Sequence, residues 1–262
     1  MMHRRTLISA IALATVCARS SAFAQQRSWR VGFVALPERP EPLEDSRFGA
    51  FALGMRELGY IERRNLTIEW RFAGGELGRL AELAAEVVQR KVDVIVAGET
   101  PVISAAQKAT ATIPIVMAAS NDPVGSGFVE SLGRPGHNIT GVSILSTDLS
   151  GKLVEMLQSV APMATRVAIL LNPQNSSNAA IAINLQVAMQ GARVTGQPVE
   201  AATAEGIEQA FARMQRQDAS AVVIAADSFF VEQRERIGSR PRRRGDRIRV
   251  PGAHSQCYVR SR

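Results

Sequence analysis

Residues 114–119 read Pro-Ile-Val-Met-Ala-Ala, an apolar run with no polar interruption and too short for a typical helix. Such a run is a strand buried on both faces, which requires a parallel sheet with helices packed above and below it. The same signature recurs along the chain. Strand-like runs at 30–36, 65–72, 92–97 and 114–119 alternate with segments at 48–58, 77–89 and 102–110, whose apolar residues fall at three- and four-residue spacing. That alternation describes one α/β unit. Gly59, directly after the first helical segment, is placed as its C-terminal cap.

An extended segment at 138–145 leads out of this unit, and the pattern then restarts. Helices are predicted at 149–160, 177–191 and 204–215, strands at 166–171 and 221–226, a weak strand at 194–199, and the start of a helix at 229–237. Two similar α/β units joined by a crossing segment predict two lobes, 25–143 and 144–237, with a cleft between them.

An open α/β sheet presents its ligand crevice beyond the carboxyl ends of its strands. Polar clusters stand at those places in the sequence. They are Glu99-Thr100-Pro101 and Ser120-Asn121-Asp122 in the first unit, and Asn172-Pro173-Gln174-Asn175 with Ser176-Ser177, then Asp227-Ser228, in the second. An amino acid ligand needs donors for its carboxylate and an acceptor for its ammonium. Thr100 and Ser120 are the candidates on the carboxylate side, together with helix N-termini. Asp227 is the candidate on the ammonium side, with Asn172 as a lesser partner. Competing roles stand beside these: Thr100 reads equally as a helix cap, Ser177 as a cap and Asp122 as a turn-former. Trp70 reads as packing, and Phe229 and Phe230 as one core residue and one aromatic contact.

Residues 121–141, Asn-Asp-Pro-Val-Gly-Ser-Gly-Phe-Val-Glu-Ser-Leu-Gly-Arg-Pro-Gly-His-Asn-Ile-Thr-Gly, resemble the signature of the substrate-binding proteins of ABC importers, in the branch linked to aromatic amino acid uptake. The likeness extends upstream through Gly59-Tyr60-Ile61-Glu62, Asn65 to Glu69 and Thr100-Pro101, and downstream through Lys152 to Leu157, Val167 to Pro173 and Asp227 to Arg236. It stops near residue 237. Gly-His-Asn at 136–138 departs from the Gly-Gly-Asn usual in the family. The resemblance implies a two-lobed periplasmic binding protein of type I-like fold, with parallel sheets flanked by helices. Such a protein is a monomer that captures a small ligand, an amino acid in this branch, and delivers it to an ABC permease in the inner membrane, with no cofactor. It also implies further strands and helices beyond 237, so that the second lobe reads as incomplete.

The ends of the chain differ from its body. Residues 1–24 have the form of a secretory signal: Arg4-Arg5, an apolar stretch at 7–16, and Ala22-Phe23-Ala24 before Gln25. Export to the periplasm is the expectation. Residues 238–262 hold eight arginines, no lysine and one acid, Asp246, while 25–237 hold twenty basic against twenty-three acidic residues. The basic excess therefore belongs to the tail, which shows neither helical nor strand periodicity and reads as out-of-frame translation rather than a nucleic-acid arm. An exported protein rarely meets nucleic acid, and a signal stands where a two-lobed DNA-binding regulator needs its N-terminal helix-turn-helix.

The body holds no cysteine and a single histidine, His137, in a Gly/Pro turn. A His-based metal cluster and a thiol nucleophile are excluded there. The rival reading is a small-molecule enzyme on a Rossmann-like α/β fold. Against it, Gly125-Ser126-Gly127 lacks both the G-x-G-x-x-G pattern and a P-loop lysine, and no serine sits in a strand-to-helix nucleophile elbow. Glu38, Glu41, Glu44 and Asp45 read as a solvated loop.

Overall fold

A computed structural model of the chain describes residues 28–144, 149–238 and a strand at 256–259. The secretory signal expected at 1–24 and most of the arginine-rich tail lie outside the described residues.

The apolar runs become strands because only sheet interiors bury both faces of so short a segment. In the first lobe these are β1 (Trp29–Ala35), β2 (Leu66–Phe72), β3 (Val94–Ala97), β4 (Ile115–Ser120) and β5 (Ile139–Ser143). Every pairing is parallel, in the order β2-β1-β3-β4-β5. Helices α1 (Arg47–Glu57), α2 (Leu80–Gln89) and α3 (Thr100–Ala109) make the crossovers. Their buried stripes follow the helical period, as Leu80, Leu83, Ala84 and Val87 do on α2. Gly32 in β1 lets α2 come close, since a Cβ there would lie 2.9 Å from Val87 Cβ. Gly59 takes φ +88 just past α1 and donates its N–H to Arg56 O, so it ends that helix as the sequence predicts.

The second lobe repeats the design with β6 (Arg166–Leu171), β7 (Thr195–Glu200) and β8 (Ala221–Ile224), carried by α4 (Ser150–Val160), α5 (Ser177–Gly191) and α6 (Ala204–Arg216). Its order is β7-β6-β8-β9, where β9 (Gln256–Val259) alone runs antiparallel. The sequence signals no strand in the tail. An antiparallel edge strand is held by main-chain hydrogen bonds, which require no side-chain pattern. The helix begun at residue 229 is two short helices, α7 (Ser228–Glu232) and α8 (Arg234–Gly238), separated at Gln233.

Core residues run through both lobes. Val167 to Leu170 on β6 are fully buried, and so are Val34, Ile95 and Ile115 in the first sheet. Phe229 and Phe230 are both core, with ring centroids 5.4 Å apart. Trp70 packs behind Phe33, centroid to centroid 4.9 Å.

In each sheet the strand order reverses once, between β1 and β3 in the first and between β6 and β8 in the second. Chain leaving the carboxyl ends of strands beside such a reversal diverges, opening a crevice. The two crevices face one another. Asn121 Nδ2, after β4, donates to Ala226 O, after β8, at 3.0 Å, and Ser126 Oγ meets Ser177 Oγ at 3.3 Å.

Candidate ligand-binding site

Between the two sets of strand ends lies a cavity of about 370 Å³. Its apolar wall comes from the first lobe: Phe33 from β1, Phe48 and Phe51 from α1, Val96 from β3, and Ala118 and Ala119 from β4. The Phe33 ring meets those of Phe48 and Phe51 edge-on, with centroids 5.5 and 5.1 Å apart. Phe48 and Phe51 share a face of α1 by their three-residue spacing. Val231 of α7 contributes from the opposite side.

The polar wall carries three carboxylates, Glu99, Asp227 and Glu232, against one guanidinium, Arg47. Glu99 follows β3. Its Oε1 accepts from Arg47 Nη2 at 2.9 Å and its Oε2 from Leu36 N at 3.2 Å. Burial pushes its carboxyl above the ordinary value of 4.5, more strongly than Arg47 and the Leu36 amide lower it. Burial likewise raises Glu232, against Arg47 and Arg234.

Asp227 follows β8 and caps α7. Its Oδ1 accepts from Phe229 N at 2.8 Å and from Asn172 Nδ2 at 3.3 Å; its Oδ2 accepts from Asn175 Nδ2 at 2.6 Å and from Asn172 Nδ2 at 3.2 Å. Only 4% of the residue is exposed. Desolvation raises its carboxyl above 3.8, in opposition to these donors.

The four residues singled out in the sequence are thus distributed unevenly. Thr100 and Asp227 line the cavity. Thr100 is the first residue of α3 rather than its cap; Glu99 holds the extended cap position, and Pro101 is accommodated in the first turn, where its missing N–H is not needed. Ser120 lies beneath the wall between Ala119 and Asn121, its hydroxyl buried with no partner among the described residues. Asn172 stands behind Asp227, wholly buried, with its Oδ1 on Gln174 N and its own N–H donated to Asn178 Oδ1.

Ser177 does not cap α5. Asn175 Oδ1 accepts the Ser177 N–H at 3.1 Å, so the asparagine does that work while its amide reaches Asp227. Asp122 forms the turn expected of it, accepting from Gly125 N at 2.8 Å. His137 is exposed, with Nε2 3.6 Å from Glu130 Oε1. Among the described residues no group of three metal-ligating side chains occurs, and no helix is long and apolar enough to cross a membrane.

Sequence reasoning missed Arg47 and the three phenylalanines. A signal was present in the i, i+3 pair of aromatics on α1. What pairs Arg47 with Glu99, 52 residues away, is the β1/β3 neighbourhood, which appears only on folding.

A family model described as ABC transporter substrate binding protein matches residues 41–244, most of the chain. The protein belongs to this family. The substrate-binding protein is 34% identical over 143 residues to the tyrosine-binding protein of Clostridioides difficile (strain R20291), an alignment covering 54% of this chain and 40% of that one. Among solved structures, it resembles a conserved domain protein from Vibrio cholerae with a TM-score of 0.65 and 26% identity, covering 75% of this chain and 64% of the other. It resembles the ABC domain in complex with L-Trp from Streptococcus pneumonia with a TM-score of 0.70 and 20% identity, covering 81% and 70%; at that identity the likeness is one of fold. The chain thus spans about two fifths of the length of the curated relative and under two thirds of the Vibrio chain. The two-lobed α/β architecture expected from the sequence is the architecture of these substrate-binding proteins.

Proposed function

We propose that the protein is the solute-binding component of an ABC importer, closing its lobes on an α-amino acid with a large apolar or aromatic side chain and presenting the closed form to a membrane permease. The observation that carries this reading is the cavity's division of labour: phenylalanines on one side, and on the other a net acidic wall at the strand ends of both sheets. A pocket that is mostly apolar with a few convergent polar groups suits a small organic ligand. Excess carboxylate selects for a cation such as an ammonium. The N-terminus of α3, with Thr100 at its first position, offers donors to the ligand carboxylate. Family membership supports the role, and the relative named for tyrosine supports the ligand class.

Export through cleavage after Ala24 belongs to the same proposal, motivated by Ala22-Phe23-Ala24. The deciding experiment is a thermal-shift screen of the twenty amino acids, followed by calorimetry on those that raise the melting temperature. Stabilisation by aromatic or bulky apolar amino acids is expected. A screen in which none binds, or in which a ligand is turned over, refutes the reading.

A further inference from the structure

We infer that Glu99, rather than Asp227, receives the cationic group of the ligand, and that Arg47 is the counter-ion Glu99 gives up in exchange. This deepens the amino-acid reading above and rests on it.

A carboxylate offers about four acceptor positions. Asp227 already has three donors in place: Phe229 N on one oxygen, Asn175 Nδ2 on the other, and Asn172 Nδ2 bridging both. An ammonium reaching Asp227 would have to displace bonds that hold the start of α7 and the turn after β6. Glu99 is the opposite case. Each oxygen has one partner, Leu36 N on Oε2 and Arg47 Nη2 on Oε1. The backbone bond fixes where the carboxylate points. The second partner is removable.

That removability follows from an asymmetry in the ion pair. The Glu99 side chain is 14% exposed and the Arg47 side chain 64%. A carboxylate so enclosed, with only one backbone donor, is stabilised by a cation beside it. A guanidinium so exposed is solvated with or without its partner, and exposed ion pairs hold weakly. Arg47's other contact, over the Phe48 ring at 5.0 Å, is on the cavity wall as well. A ligand whose side chain lies on the phenylalanines therefore brings its ammonium to Glu99 in place of Arg47. Glu232, on the wall contributed by the opposite lobe, is the acid left for the freed guanidinium, and the two already act on one another through space. No hydrogen bond among the described residues orients Glu232, so it lacks the fixed geometry that Leu36 N gives Glu99.

The test compares amines with their deaminated counterparts on the full chain. Calorimetry is run with L-phenylalanine, L-tyrosine and L-tryptophan and with the corresponding arylpropionates, on the parent protein and on Glu99→Gln, Asp227→Asn, Glu232→Gln and Arg47→Gln. A thermal melt of each variant is recorded in parallel. The parent is expected to prefer at least one amino acid over its deaminated form by tenfold or more. Glu99→Gln should abolish that preference by weakening the amine alone. Arg47→Gln should leave the amine bound as tightly or more tightly, because a competitor has been removed. Asp227→Asn should melt lower yet keep the preference; if it does not fold, Glu99→Gln and Arg47→Gln still decide. The assignment falls if Glu99→Gln keeps the preference, if Glu232→Gln or a folded Asp227→Asn loses it instead, or if Arg47→Gln weakens the amine as much as Glu99→Gln does. A parent that binds none of the three amino acids while another of the twenty binds overturns only the aromatic choice, and the same comparison is then made with that amino acid and its deaminated form. A parent that binds none of the twenty overturns this assignment together with the broader reading.

Discussion

Replacing Asp227 by alanine should destabilise the unliganded protein, quite apart from any ligand. Three groups donate to this carboxylate. Losing the cap on α7 through Phe229 N costs about 1 kcal/mol. Asn172, wholly buried, is left with an amide that no water reaches, which costs about 1–3 kcal/mol. Asn175 borders the cavity, so water can replace its lost partner and its share is small. Relief of a desolvated carboxyl offsets part of the total. The net is about 2 kcal/mol, which for a protein of this size corresponds to a melting temperature lower by about 4–8 °C. Thermal unfolding followed by circular dichroism, without ligand, measures it. A second variant removing Asn172's amide, Asp227→Ala with Asn172→Ala, should recover part of the loss because no buried donor then stands alone. A single Asp227→Ala variant melting within about 2 °C of the parent would show that the hydrogen bonds around this residue carry little stability, and the reasoning would fail.

Three further expectations can be checked in the same preparations. Glu99 and Asp227 have folded-state carboxyls raised above their ordinary values; the stability they contribute is fully present below those ordinary values and is lost as pH rises through the raised ones. The melting temperature of Glu99→Gln relative to the parent should therefore climb as pH rises above the ordinary carboxylate value of 4.5, and a flat or falling difference would contradict the sign. Gly141 has φ +144 beside Met117, and a Cβ there would run into the Met117 carbonyl; Gly141→Ala should lower the urea midpoint by the equivalent of about 1–3 kcal/mol, and an unchanged midpoint would refute the strain. Mass spectrometry of exported protein should find Gln25 at the N-terminus, whereas uncleaved protein held in the cytoplasm would remove the export proposal.

Strand positions were readable wherever burial is two-sided. The run at 166–171 coincides with β6, whose interior residues are wholly enclosed. β7 was faint in the sequence for a physical reason: Gly196 and Pro198 sit in an edge strand, the one sheet position where a missing N–H is harmless. Polar clusters at strand ends led to the right region but not to the right division of labour within it. Glu99 was visible as a lone acid, and nothing nearby in sequence announces Arg47. Asp227 looked available because two of its three donors come from a turn more than fifty residues upstream. Three adjacent polar residues precede or open α5, and the sequence does not say which one accepts its first free amides; Asn175 takes the Ser177 N–H while its other end reaches Asp227.

The meeting of Ser126 and Ser177 lies off the cavity wall. A single neutral hydrogen bond of this kind is worth about 0.5–1.5 kcal/mol net, a modest addition to the bias towards a closed form that the Asn121 to Ala226 bond also supplies. Apparent affinity is then intrinsic affinity scaled by the closed fraction. Loss of the Ser177 hydroxyl lowers that fraction by one factor for every ligand alike, so the order in which ligands are preferred is untouched. Substitutions among the phenylalanines change the order itself. On the function proposed above, how tightly a ligand is held and which ligand is preferred are therefore set by different residues, and selection can move one without moving the other.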